Sequence, residues 1–223
     1  MPSPSQSAPR VRRKSGYHHG NLRQAAMAAA EKLVLRHGPN GFALSDAAKL
    51  TGVVPSALYR HFASKEDLLA AIATDGFRML REQLQSAGQS APIDPRAAVE
   101  HFGAVYLAFA LEHPARFKTM FFANIDKKRH PELLDLACST FYDLVAVCQA
   151  LSRQPLVLAS SLWAASHGFA VLAVDGELAN AGLQADPALT LRFALRSMVL
   201  QDPFLDAEAL ACPPASAADH SVS

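Results

Sequence analysis

Gly52-Val53-Val54-Pro55-Ser56-Ala57-Leu58-Tyr59-Arg60-His61-Phe62-Ala63-Ser64-Lys65-Glu66-Asp67-Leu68-Leu69 is the stretch on which the fold turns. Gly52 breaks the short helical pattern before it, for which Ser45 reads as the N-cap. Pro55 opens a second short helix, because a first-turn residue needs no N–H donor, and the pattern runs to about Phe62. Ala47, Ala48, Val53, Leu58 and Phe62 are the small and apolar residues that pack two such helices at a steep angle. The proportions, over about residues 43–62, are those of a helix-turn-helix. On the second helix Ser56, Ala57, Tyr59, Arg60 and His61 are left pointing outward. Their hydroxyl, phenol, guanidinium and imidazole groups suit phosphates and base edges. Lys65 follows at a helix N-terminus, where backbone N–H groups and the helix dipole favour a phosphate. The competing reading of the same positions is a plain solvated helix face.

Working outward, almost everything reads as helix. Ser64 with Asp67 three residues later is a capping-box variant. It opens a long amphipathic helix to about Ala87 with Leu68, Leu69, Ile72 and Leu80 on its inner side. Upstream, Asn21 reads as the N-cap of a helix whose stripe is Leu22, Ala26, Ala29 and Leu33, ending at His37-Gly38 with Pro39 beyond. Downstream, helices are expected from Asp94 to His113, Pro114 to Asn124, Pro131 to about Leu151, Pro155 to Asn180, and Asp186 to about Leu200. No β-hairpin signal or run of alternating β-branched residues interrupts them. The expected fold class is all-α: a three-helix helix-turn-helix domain over residues 17–77 and a larger helical domain over 94–200. A disordered basic arm (1–16) and a disordered Ala/Pro/Ser-rich tail (206–223) flank them.

The chain has 223 residues, 50% of them hydrophobic and 18% charged, too apolar to be disordered. Its net charge is +1, but unevenly placed. Arg10 to Lys65 carries ten Lys and Arg against two acids, a net of +8; the rest carries eleven against eighteen, a net of −7. One part therefore meets a polyanion and the other does not. Cys138, Cys148 and Cys212 form no metal-type pair, which points to reduced thiols and a cytoplasmic location. His18 and His19 lack ligand-spaced partners, so no metal and no cofactor is expected. No signal peptide is visible. Pro155 to Val174 holds no charged side chain and could be taken for a membrane span, yet a helix apolar all round is also what a protein buries in its core or dimer interface.

The quoted stretch resembles the DNA-binding segment of the TetR/AcrR family, as does Tyr17-His18-His19-Gly20-Asn21-Leu22-Arg23. Trp163, His167 and Gly168 resemble the signature of the WHG type of TetR C-terminal domain. The resemblance implies a ligand-responsive transcriptional regulator, usually a repressor and a homodimer, with double-stranded operator DNA and a small-molecule effector as partners. Carried over by position, Ser45 meets a phosphate, Pro55, Ser56 and Ala57 lie at the base edges, and Tyr59, His61 and Lys65 hold the backbone. Arg60 is a variable contact. Val54 departs from the family, which most often has Ser or Thr as cap there; the lost cap costs about 1 kcal/mol.

In the second domain, Phe102, Tyr106 and Phe109 share one helix face, and Phe117 and Phe121 lie on the next helix. Such stripes are either core or the wall of an apolar pocket. With the resemblance, these five, Trp163 and His167 are the candidate effector lining. Gly168 in mid-helix implies close approach of another helix, so Trp163, Ala164, Gly168, Leu191, Leu195 and Met198 are candidates for the dimer interface. Two other classes compete: a helical small-molecule-binding protein without specific DNA binding, and an all-α enzyme. No nucleophile elbow, P-loop or paired carboxylates supports the enzyme, and none is expected.

Overall fold

The computed structural model describes residues 19–88, 94–182 and 186–205. The proposed arm, the tail from 206 and His18 lie outside them. The helices are α1 (His19–His37), α2 (Leu44–Thr51), α3 (Pro55–Tyr59), α4 (Lys65–Gly88), α5 (Pro95–Glu112), α6 (Pro114–Phe122), α7 (Pro131–Gln149), α8 (Pro155–Val174), α9 (Glu177–Asn180) and α10 (Pro187–Leu200). A 3₁₀ turn, Lys127–Arg129, precedes α7. There is no strand among the described residues, and the all-α expectation holds.

Helix starts follow local chemistry. Proline occupies the first turn of α3, α5, α6, α7, α8 and α10. Asp94 and Asp186 cap α5 and α10 by accepting from the Arg96 and Ala188 N–H groups. Ser64 caps α4: its hydroxyl accepts from the Asp67 N–H at 3.1 Å and donates to the Asp67 carboxylate at 2.9 Å.

Four expectations need correction. Ser45 is not the cap of α2: the helix begins one residue earlier, at Leu44, with Ala43 at the N-cap. The Asp46 carboxylate accepts from the Ala43 N–H at 3.0 Å, doing from inside the helix what a capping side chain would do from outside. Asn21 lies within α1, which already runs at His19. The recognition helix α3 stops at Tyr59 instead of Phe62. The helix expected from Pro155 to Asn180 is two, because Gly176 takes a left-handed φ of +76° between α8 and α9.

Two buried cores result. The first gathers Ala26, Met27, Ala30, Leu33 and Val34 of α1 with Ala47, Ala48, Leu58, Phe62 and, from α4, Leu68, Leu69 and Ile72. The second gathers Ala73, Phe77 and Leu80 of α4 with the inner faces of α5, α6, α7, α8 and α10. The apolar helix α8 is long enough to cross a membrane by length and composition. In the fold it packs on α5, α7 and α10, burying Leu158, Ala159, Leu162 and Ala170. Its buried Ser166 hydroxyl donates to the Leu162 carbonyl, leaving no orphaned donor.

Gly103 of α5 is buried where α10 crosses, and a Cβ there would overlap the buried Leu195 side chain. Gly103→Ala is expected to destabilise the second core by about 1–3 kcal/mol despite the better helix propensity of alanine, read as a lower urea midpoint.

Candidate nucleic-acid interface and effector cavity

The helix-turn-helix is held from within. Gly52, at φ +70°, turns the chain after α2 and donates to the Ala48 and Lys49 carbonyls. The Val53 N–H donates to Ala48 O at 3.1 Å. Leu58 is fully buried, so α3 presents its other faces outward. Val54 stands at the N-cap with no side-chain bond, and Pro55 follows it. Ser56, Tyr59 and Arg60 are exposed, and Ala57 and His61 are half-buried. None of the polar ones spends its side chain in a hydrogen bond or ion pair among the described residues. Their donors are free for a ligand. Ser45 is half-buried near the start of α2. Arg23 of α1 lies 5.4 Å from the centroid of the Phe62 ring.

Lys65 is half-buried at the head of α4. Its ammonium donates to the Phe42 carbonyl at 2.7 Å and the Asn40 carbonyl at 3.0 Å, over the Phe42 ring. Burial pushes its pKa down. It ties α4 to the α1–α2 turn, which is a structural duty.

The same turn reaches the second core. The Asn40 amide donates to the Phe122 carbonyl at 3.0 Å and its oxygen accepts from the Asn124 N–H at 3.1 Å. Glu66 accepts from the Asp126 N–H at 3.2 Å and pairs with Arg129 at 3.4 Å, with His130 equally close. The Arg116 guanidinium of α6 pairs with Glu31 of α1 at 3.0 Å. Sequence reasoning missed these residues. The partners lie 60 to 85 positions apart, so no local pattern announces them.

A cavity of about 410 Å³ opens between α4, α5, α6, α7 and α8. Of the expected lining, Phe102, Tyr106, Phe121 and Trp163 face it. Phe109 and Phe117 do not: both are packed into the core, Phe109 against His113 and Phe117 against Tyr106. His167 stands behind the wall, its Nδ1 2.9 Å from the Tyr106 hydroxyl. Its ring is flanked by Phe117, Phe121, Phe122 and Trp163, and burial pushes its pKa down, favouring the neutral imidazole. Burial likewise pushes the Tyr106 phenol up, with Trp163 beside it in partial opposition. Phe77 and Leu80 of α4, Lys127 of the 3₁₀ turn, and Leu134, Ala137, Cys138, Thr140, Phe141 and Tyr142 of α7 complete the wall. A larger polar groove of about 500 Å³ lies where α1 and α4 meet the start of α7. Within it Arg78 pairs with Asp75 and Glu132 at 2.7 and 2.6 Å, and most of its lining is polar or charged. The aromatic cavity is therefore the better candidate for an organic ligand.

The expected dimer residues divide. Leu191 and Leu195 are buried in the protomer's own core, because α10 turns them onto α5; they cannot meet a partner. Met198 packs partly against the same core. Trp163, Ala164 and Gly168 are exposed on α8, and nothing lies within 4 Å of a Cβ built on Gly168.

A helix-turn-helix with free donors, joined by one helix to a cavity-bearing helical body, defines a DNA-binding regulator. Residues 26–72 match the family model for bacterial regulatory proteins of the tetR family. Residues 99–198 match the model for the tetracyclin repressor-like C-terminal domain. The chain belongs to the TetR family of transcriptional regulators. No curated protein matches it. Among solved structures it is similar to a protein of unknown function from Rhodococcus sp. RHA1, at 25% identity and TM-score 0.67, covering 84% of this chain and 98% of that one. A tetR-family regulatory protein from Rhodococcus RHA1 shares 14% identity at TM-score 0.66, with coverages of 83% and 98%. The TetR family regulator PfmR from Thermus thermophilus shares 18% identity at TM-score 0.60, with coverages of 80% and 95%.

Lys65→Ala leaves two carbonyls without their donor and is expected to lower stability by about 1–3 kcal/mol in a urea melt. Tyr59→Ala should leave stability unchanged and weaken binding to all duplex sequences about equally in a mobility shift.

Proposed function

We propose that the chain is a homodimeric, cytoplasmic repressor that binds a near-palindromic operator and is released by a small, mainly apolar effector. The observation that carries this is the placement of α4. Its first turns, through Leu68, Leu69 and Ile72, share a core with Leu58 of the recognition helix and with Phe62 just beyond it. Its later turns, through Phe77 and Leu80, line the aromatic cavity. An effector that prefers one tilt of α4 shifts the helix-turn-helix by that preference, about 1–3 kcal/mol in typical couplings. The Asn40 and Glu66 contacts form a second connection, because Phe121 lines the cavity next to the Phe122 carbonyl that Asn40 holds.

In this reading residues 17–77 form the DNA-binding domain and 94–200 the effector and dimerisation domain. Ser56 and Ala57, next to Pro55, face bases; Ser45, Tyr59, His61 and the remaining donor of Lys65 meet phosphates, with Arg60 a variable contact. Trp163, His167 and Gly168 support a second domain of the WHG type. Dimerisation uses the outer faces of α8 and α10. Leu156, Val157 and Leu172 are exposed on α8, Leu189 and Phe193 on α10, and Phe193 is 73% exposed. Such a surface, with room for a helix at Gly168, supports a two-fold interface. Two recognition helices then reach major grooves roughly 34 Å apart or a small multiple of that.

A mobility shift with the chain's own upstream DNA at several salt concentrations tests the reading; binding with no preference over unrelated duplex sinks it. Gly168→Phe should yield a folded monomer by sedimentation, whereas an unchanged dimer moves the interface elsewhere. Phe121→Ala and Trp163→Ala, once shown to be folded, should keep operator affinity and lose the response to effector.

A further inference from the structure

We propose that the effector is an organic anion, an apolar body bearing one negatively charged group, and that Lys127 at the cavity rim holds that group. The inference rests on the cavity being the effector site. Among the described residues Lys127 is the one charged residue in the wall; the other lining residues are aromatic, aliphatic or neutral polar. Its side chain makes no hydrogen bond and no ion pair among the described residues. Of its neighbours, Asp126 accepts from the Lys128 N–H and Arg129 pairs with Glu66, while the Lys128 side chain lies outside the wall. Two of the neutral hydroxyls of the wall are already engaged, while the Tyr142 hydroxyl and the Cys138 thiol are uncharged. The Thr140 hydroxyl donates to the Leu136 carbonyl at 2.7 Å, and the Tyr106 hydroxyl is held by His167.

A wholly apolar ligand gains nothing from such a rim, and a cation is repelled by it. An anion gains a charge-assisted hydrogen bond at the edge of an apolar wall, where the screening by water is reduced. About 410 Å³ accommodates a body of two or three rings or a medium chain. Lys127 also opens the 3₁₀ turn whose flanks, Asp126 and Arg129, are held to Glu66 at the head of α4. An anion seated on Lys127 therefore acts on the segment that is fastened to the DNA-binding half.

Two fluorescent probes of nearly the same shape test this on the full-length protein. Anilinonaphthalenesulfonate carries the anion, and N-phenylnaphthylamine is its neutral counterpart. Lys127→Gln is expected to weaken the sulfonate about tenfold, the loss of one charge-assisted hydrogen bond, and the neutral probe less than about twofold. Lys127→Arg should retain sulfonate binding, and Lys128→Gln, next along the chain but outside the wall, should match the parent. Raised salt should weaken the sulfonate alone. Ala137→Phe fills the cavity and should weaken both probes; Cys138→Trp does so from the rim if the first variant fails to fold. If both probes respond to the filling variants but the sulfonate ignores Lys127→Gln, the anion seat is wrong and the cavity stands. If neither filling variant affects either probe, the cavity reading fails and the anion seat falls with it.

Discussion

The two halves of α4 are buried in different cores, and the rest of the structure depends on that constraint. Leu68, Leu69 and Ile72 are inaccessible from one side because the helix-turn-helix closes over them. Phe77 and Leu80 are inaccessible because α5, α6 and α7 do the same further along. A helix packed so fully along its length cannot bend locally at low cost, since each buried large side chain is worth about 1.5–3 kcal/mol. Displacement at the cavity must then reach the recognition helix as rigid motion of α4, or be prevented by it.

Polar groups divide into those the fold uses and those it leaves open, and the division separates scaffold from site. Lys65, Asn40, Glu66 and Arg116 are committed to bonds between elements. They close the junction between the two cores, where half-buried carbonyls and N–H groups need partners. Ser56, Tyr59, Arg60 and His61 on the motif, and Lys127 at the cavity rim, remain uncommitted. Lys65 spends two of its three donors on the Phe42 and Asn40 carbonyls, which leaves one for a ligand.

Helix ends were legible where one side chain sets them. Asp94, Asp186 and Ser64 cap as their spacing predicts, and the helix-initiating prolines sit in first turns. Misreadings arose where a second residue could do the same work. Asp46 satisfies the start of α2 from its third position, so Ser45 is displaced as cap. Gly176 ends α8 through a left-handed conformation, whereas Gly168, Gly103 and Gly76 sit inside helices. Glycine identity alone does not distinguish these cases.

By itself the sequence determined the all-helical class, the helix-turn-helix and the outward face of its second helix. These follow from periodicity and capping over a few residues, where covalent connection already brings the groups together. Only the tertiary structure decided which aromatics became wall and which became core. Phe102 and Phe109 lie two turns apart on one helix face, yet one lines the cavity and the other packs against His113 in the interior. It likewise decided that Leu191 and Leu195 belong to the protomer while Gly168 stays open, since the crossing of α5 and α10 is set by packing across some ninety residues of chain. A stripe of apolar side chains specifies that a face is covered; its neighbours in space specify by what.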